Sequence, residues 1–180
     1  YELMPSLVGS EMCIRDSSKC ARRTERTVMD PTVGTRIVLT DTQGNRTVIE
    51  IPAGAVTYTQ PITLAYALIE DEVGAPAGFV FGNHAFELSA YIGHTPLFGL
   101  HFSPPITITI HYSDADVAVM KEEELMLRYW DGTTWSDDGI SVVERNTDAN
   151  YVVFTVAHLS DFALFGRVYN IYLPLVLKNK

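Results

Sequence analysis

The sequence has little of the chemistry on which most enzymes and small disulfide-rich proteins depend. It contains only two cysteines, Cys13 and Cys20, and both lie in the first twenty of its 180 residues. Neither a disulfide framework nor a cysteine zinc site can therefore organise the rest of the chain. None of the five histidines forms a His-x₃-His pair, and there is no glycine-rich phosphate loop. We expect no cofactor and no bound metal.

Basic residues and long hydrophobic runs are also scarce. The chain has 13 Lys and Arg against 22 Asp and Glu, which gives a formal net charge of -9. Because an acidic surface repels phosphate groups, we expect no nucleic-acid partner. The apolar stretch within residues 168–180 is interrupted by Asn170 and Pro174. It is shorter than the ~20 residues that a membrane helix needs, so we expect no membrane span.

The pattern that is present is typical of β-structure around one core. At 47% apolar residues, the chain can bury one good core. Residues 35–40 form a strand-like segment rich in β-branched residues, a tight turn follows at Gly44 and Asn45, and residues 47–51 form the returning strand of a hairpin. Similar segments recur to the end of the chain. We predict an all-β fold, an antiparallel two-sheet sandwich with at most a short helical turn near 114–124.

Two segments each allow two interpretations. The acidic stretch 113–124, which contains Asp114 and Asp116, is either a helical turn with a solvated face or a calcium site, although it lacks the regular spacing of a calcium loop. Trp130 and Trp135 flank a turn. They are either cross-strand anchors or a platform for stacking carbohydrate.

The stretch that carries chemistry is His158-Leu159-Ser160, between two strand-like segments. A serine hydroxyl can attack the carbonyl of the preceding residue, an acyl shift that converts the amide into a more easily hydrolysed ester. Histidine can accept the hydroxyl proton near neutral pH. Phe162 and Leu164 alternate with polar or small residues in the strand that follows. We predict that these two side chains point into the core.

This stretch, together with the upstream Trp130 and Trp135, resembles the GPS motif of the GAIN domain in adhesion receptors. The resemblance implies that His158 is the base, Leu159 the acyl donor and Ser160 the nucleophile of a single self-cleavage. The family usually has cysteines where this chain has Phe154, Val156 and Ile140. Two hypotheses therefore remain, self-cleavage between Leu159 and Ser160, or a structural histidine beside a strand-edge hydroxyl.

An earlier part of the chain, residues 34–112, resembles the ZU-type β-sandwich of zonula-occludens proteins, netrin receptors, ankyrins and bacterial surface proteins. The resemblance rests on an Ile-Pro-Ala-Gly-Ala-Val segment at 51–56 and on a Gly-Leu-x-Phe-Ser segment at 99–103. His101 and Ser103 repeat the self-cleaving pattern of some ZU-type domains. Two prolines follow Ser103 directly, so we interpret this pair as structural.

These patterns predict four segments along the chain. We expect residues 1–25 to lie outside the domain, 26–112 to form a ZU-like half, 113–167 to complete the sandwich as a meander, and 168–180 to form an apolar tail. Residues 1–18 resemble a translated sequencing adaptor. The tail resembles one found on secreted or surface proteins of filamentous bacteria.

From these resemblances we predict a non-catalytic, extracellular or cell-surface module at the C-terminal end of a larger exported protein. Its expected role is structural or adhesive support, and the alternative is the same module with self-cleavage between Leu159 and Ser160. The expected partners are upstream domains of the same polypeptide and a protein or cell-envelope component whose identity the sequence leaves open. A conventional enzyme acting on an external substrate is not expected.

Overall fold

The protein is described here by a computed structural model that covers residues 21–69 and 73–169. These residues form twelve strands, one short α-helix and one 3₁₀ turn. The strands are β1 (Ala21–Met29), β2 (Thr35–Thr40), β3 (Arg46–Ile51), β4 (Ile62–Ile69), β5 (Phe79–Ile92), β6 (Thr95–Pro96), β7 (His101–His111), β8 (Met126–Trp130), β9 (Trp135–Ser136), β10 (Ile140–Asn146), β11 (Tyr151–His158) and β12 (Asp161–Arg167). The helix α1 spans Asp114–Val117, and the 3₁₀ turn spans Glu122–Glu124.

The strands form two antiparallel sheets around a shared core. The seven-stranded sheet has the order β1-β4-β5-β12-β8-β9, with β6 paired to β5, and the five-stranded sheet has the order β10-β11-β7-β3-β2. The predicted all-β antiparallel sandwich is confirmed. Its helical content in the described ranges is confined to α1 and the 3₁₀ turn, which fall within the predicted interval 114–124.

Alternation along the strands explains how the core forms. In β7 the side chains of Ile106, Ile108 and Ile110 are fully buried, while the intervening threonines are only partly buried. Phe162 and Leu164 of β12 are likewise fully buried in the same core, as predicted. Because successive side chains of a strand point to opposite faces, each sheet presents one apolar face to the other.

Strand β12 is buried on both faces. Its remaining apolar residues, Ala163 and Phe165, are fully buried in a second apolar cluster with Trp135. Trp130 and Trp135 are opposite each other in the β8–β9 register, with ring centroids 5.5 Å apart. The two tryptophans therefore act as cross-strand anchors of this second cluster.

The two halves expected from the sequence interleave. Strand β12 lies between β5 and β8, so the last described strand joins an early part of the sheet to a late one. Residues 21–25, which we expected to precede the domain, form the first part of β1 and pair with β4. The expectations for residues 1–18, for both cysteines and for 170–180 of the tail concern residues outside the described ranges.

Candidate functional site

The predicted corner connects the two sheets. Strand β11 ends at His158 and pairs with β7 of the five-stranded sheet, whereas β12 begins at Asp161 between β5 and β8. Leu159 and Ser160 form the link. The Leu88 amide donates a hydrogen bond of 2.9 Å to the Ser160 carbonyl oxygen, which anchors the link to β5.

The hydroxyl of Ser160 is directed away from the histidine. Its Oγ donates a hydrogen bond of 3.1 Å to the carbonyl oxygen of Trp130, at the end of β8. The described contacts include none between this hydroxyl and the His158 ring. The nucleophile and the base that the sequence predicted are thus neighbours in the chain, but the proton-transfer contact between them is not formed.

The imidazole of His158 is held by aromatic rings. Tyr129 packs edge-on against it, with centroids 4.4 Å apart, and Phe162 stacks at 5.9 Å. Nε2 is buried and has no hydrogen-bond partner among the described residues. Nδ1 lies 3.3 Å from the carbonyl oxygen of Leu159, the acyl group that the serine would attack. In the tautomer protonated at Nδ1, the ring can donate to this oxygen and polarise the carbonyl.

The backbone of the corner lacks the left-handed conformation that marks strain. Positive φ at non-glycine residues is found in the described ranges only at Asn83 and Asn150, and not at Leu159 or Ser160. A twisted amide costing ~1 to 3 kcal/mol would promote attack on the carbonyl. At this link neither a positive φ nor a cis peptide bond is found.

Apolar packing occupies the places where the resembling family has cysteines. Phe154 and Val156 are fully buried in the main core, and Ile140 packs against it. Ile140 and Val156 are directly opposite each other in the β10–β11 register. These contacts fix the end of β11 without covalent links.

Solvent reaches the corner through a groove of about 350 Å³. Leu159, Ser160 and Asp161 line one side, and the segment around Phe98 lines another. The Phe98 side chain is 91% exposed. Water, the reactant that would hydrolyse an ester at this link, therefore has access to it.

The second histidine-serine pair is placed in β7. His101 is exposed and lies opposite His158 in the β7–β11 register, while the Ser103 amide donates to the Ala55 carbonyl oxygen at 2.7 Å. Ser103 is exposed at the sheet surface. The sequence did not indicate that the two histidines face each other across neighbouring strands.

A buried polar cluster that sequence reasoning missed lies in the bulge of β5. Ala85 pairs with Ala163 and Phe81 with Phe165, so three residues of β5 are opposite Leu164 alone. The bulge includes Asn83 at φ 57° and turns His84 into the interior. Glycine and asparagine inside a strand are the signal that could have indicated it.

His84 joins the two sheets at this bulge. Its Nε2 lies 2.6 Å from the Thr47 hydroxyl of β3, and both residues are buried. Burial lowers the pKa of His84 to about 4, although the carboxylates of Asp41 and Asp116 act in the opposite direction. The imidazole is consequently neutral at physiological pH.

Asp116 of α1 accepts hydrogen bonds from three directions. The donors are the amide groups of Asn83 and Asn45, and both the backbone amide and the hydroxyl of Ser113. Burial would raise the pKa of this carboxyl, but the hydrogen bonds outweigh it and lower the pKa. Within the described ranges there is no group of three His, Cys, Asp or Glu side chains able to hold a metal. The Asp116 carboxylate is instead hydrogen-bonded by N–H and O–H donors. This arrangement favours the structural interpretation of the acidic stretch over calcium binding.

No protein-family model matches the chain, and no curated protein sequence matches it. Among residues 21–69 and 73–169, no helix has the length and apolar character needed to cross a membrane.

Proposed function

We propose that this chain is a non-catalytic β-sandwich module of an exported cell-surface protein, with a structural or adhesive supporting role. The observation that carries the proposal is the hydrogen bond from the Ser160 hydroxyl to the Trp130 carbonyl oxygen at 3.1 Å. Through this bond the predicted nucleophile stabilises the contact between the start of β12 and the end of β8. In this proposal the residues of the motif form a structural link between the two sheets.

The surroundings of His158 support the same role. An imidazole packed between Tyr129 and Phe162, opposite His101 on the next strand, contributes apolar contact at the end of β11. A general base needs its proton donor within about 2.6–3.2 Å or one water away. The Ser160 proton points elsewhere.

The extracellular location and the partners follow from the resemblance to ZU-type and GAIN domains. The net charge of -9 would keep such a module soluble. In this proposal its partners are other parts of the same exported polypeptide and a component of the cell envelope. Cells that express the larger exported protein can be treated with a labelling reagent that does not cross membranes. We expect the reagent to modify this module in intact cells. Modification only after the cells are lysed would contradict the extracellular location.

A second candidate function, one self-cleavage between Leu159 and Ser160, is favoured by one contact. Nδ1 of His158 is 3.3 Å from the Leu159 carbonyl oxygen, where negative charge would develop during attack. The serine hydroxyl would first have to rotate from Trp130 toward that carbonyl. Such a rotation changes one side-chain dihedral, and the groove beside Ser160 gives it room.

The chemistry of this second candidate is balanced without a cofactor. The Ser160 oxygen would form a bond to the Leu159 carbonyl carbon as its proton leaves, the carbon–nitrogen bond would break, and the nitrogen would take up a proton. Water would then hydrolyse the ester to give a Leu159 carboxylate and a free Ser160 hydroxyl and amine.

Intact mass spectrometry of the purified full chain tests both candidates. We expect a single full-length mass after long incubation at neutral pH, with or without hydroxylamine, which would trap an ester at Leu159. A fragment that begins at Ser160, formed in the original chain and missing in Ser160→Ala, would establish self-cleavage and contradict the non-catalytic proposal.

A further inference from the structure

The sequence contains two Asp-Gly pairs, Asp131-Gly132 and Asp138-Gly139, and all four residues are exposed. The first pair lies between β8 and β9 of the seven-stranded sheet, and the second lies between β9 and β10, which belong to different sheets. An aspartate before glycine can rearrange its own main chain, because glycine has no side chain to hinder attack by its backbone nitrogen. The fold places the same reactive pair in two different settings.

The side chain of Asp131 is held by its own turn. Its Oδ1 accepts hydrogen bonds from the Thr134 amide at 2.8 Å, the Thr133 amide at 2.7 Å and the Thr133 hydroxyl at 2.8 Å. These donors, the two backbone amides first, hold the pKa of Asp131 below its usual value. A carboxylate that is kept charged and bound to three donors is a poor acceptor for the Gly132 nitrogen.

The side chain of Asp138 has no comparable support. Its backbone amide donates to the Ser136 hydroxyl at 3.2 Å, but within the described ranges its carboxylate makes no hydrogen bond or ion pair. One main-chain bond closes the turn, from the Ile140 amide to the Asp137 carbonyl oxygen at 3.1 Å. Gly139 has φ 73°, and glycine changes such a conformation at little cost. Local opening of this exposed turn lets the Asp138 carboxyl meet the Gly139 nitrogen.

We propose that Asp138 is a site of spontaneous main-chain modification, at which the link between the two sheets converts to isoaspartate through a cyclic imide. The Gly139 nitrogen forms a bond to Cγ of Asp138 and loses its proton, and a carboxyl oxygen leaves as water. Water then adds to the main-chain carbonyl carbon of Asp138, and the bond from this carbon to the Gly139 nitrogen breaks. The product has the same mass as the original chain, but its main chain runs through Cγ.

The modification would lengthen a link that both sheets constrain. Asp137, just before the site, lies 3.5 Å from Arg128 of β8, and its carbonyl oxygen accepts the bond from Ile140, the first residue of β10. One additional main-chain carbon between Asp137 and Ile140 changes the spacing across this turn. We therefore expect the closing bond to be lost in the product, which would free the start of β10.

Peptide mapping of the purified full chain, after incubation at mildly acidic pH, measures isoaspartate at both sites in the same molecules. A protease that cleaves before aspartate does not cleave before isoaspartate, and electron-transfer fragmentation identifies the modified residue. We expect isoaspartate to form about tenfold or more faster at Asp138 than at Asp131, since losing even one hydrogen bond to a charged group costs about this factor. No isoaspartate at Asp138, or equal rates at the two sites, would overturn the proposal.

Unfolding and two substitutions test whether the fold causes the difference. In urea that unfolds the chain the two rates should approach each other, and a ratio unchanged by unfolding would refute the structural cause. Thr133→Val removes one donor to Asp131 and should raise the rate there without changing the rate at Asp138. Asp138→Glu is the control, because its side chain would have to close a larger ring. An isoaspartate signal in this segment that persists in Asp138→Glu would contradict the assignment to Asp138.

Discussion

At the scale of single residues, the buried imidazole of His84 has the clearest physical consequence. It is neutral in the folded chain because burial lowers its pKa to about 4, and its Nε2 lies within hydrogen-bonding distance of Thr47. In the unfolded chain a histidine has a pKa near 6.5. Below that value the unfolded state binds a proton that the folded state does not. The contribution of neutral His84 to stability is therefore present above pH 6.5 and is lost as the pH falls toward 4.

We accordingly predict a flatter dependence of stability on pH for His84→Gln. The free energy of unfolding of the original chain should fall by roughly 2–3 kcal/mol more than that of the variant between pH 7 and pH 4. Urea titrations at a series of pH values measure this difference. His94→Gln, at an exposed loop position, is the matched control and should follow the original chain. Parallel curves for His84→Gln and the original chain would contradict the prediction.

At the link between β11 and β12, the sequence predicts some side-chain positions and not others. Alternation was enough to predict that Phe162 and Leu164 point into the core. The direction of the Ser160 hydroxyl was not predictable, because its acceptor is a backbone carbonyl 30 positions earlier that only the sheet order brings close. The bulge around His84 was missed for a related reason. In sequence, the polar residues Asn83 and His84 are typical of a turn. Only their hydrogen-bond partners in the fold, Asp116 and Thr47, show that they belong to a strand.

At the scale of elements, β12 is the strand on which both apolar clusters depend. Phe162 lies 5.4 Å from Phe86 between ring centroids on its core side, and Phe165 contacts Trp135 on the other. We predict that Phe162→Asp abolishes folding, because it buries an unpaired charge. Phe162→Ala should remain folded but lose about 3–5 kcal/mol.

Circular dichroism and NMR chemical-shift dispersion check the Phe162 variants. Val143→Asp is the control, since Val143 is 61% exposed at the register shift of β10 and should tolerate a charge. If Phe162→Asp melts cooperatively at the melting temperature of the original chain, the side chain of residue 162 does not lie in the core.

The end of β12 packs closely against the segment that follows α1. A Cβ added at Gly166 would lie 2.7 Å from Sδ and 2.9 Å from Cβ of Met120. We predict that Gly166→Ala lowers the free energy of unfolding by about 1–3 kcal/mol. In a Met120→Ala background the same change should cost less, because the 2.7 Å contact with Sδ is removed while the contact with Cβ at 2.9 Å remains.

Chemical denaturation of the four chains in this double-mutant cycle measures the coupling between Gly166 and Met120. Gly74→Ala serves as the control, since a Cβ there would meet nothing within 4 Å. Strictly additive losses would show that the contact with Sδ of Met120 is not the cause.

At the scale of the whole molecule, the strand order makes the two halves of the chain interdependent. Both tryptophans lie in the cluster on the outside of the seven-stranded sheet, while backbone dichroism reports both sheets. Strand β12 lies between β5 and β8 in one sheet, and it is continuous with β11 of the other sheet. We therefore expect the two sheets to unfold together. We predict that tryptophan fluorescence and far-ultraviolet dichroism give coincident urea transitions. A fluorescence transition at clearly lower urea would show that the outer cluster unfolds independently.

The general architecture was predictable from composition and period-two alternation, since these depend on local residues. The strand order was not, because it is decided by contacts between distant segments. Such contacts join the segments 26–112 and 113–167, which we expected to form one sandwich together, since β7 pairs with β11 and β5 with β12.

The position of β12 between β5 and β8 also has a consequence for biosynthesis. A ribosome delivers the chain in order, so β5 and β8 emerge with a vacant slot between them until residues 161–167 follow. The seven-stranded sheet therefore cannot be completed until the last of these residues has been synthesised.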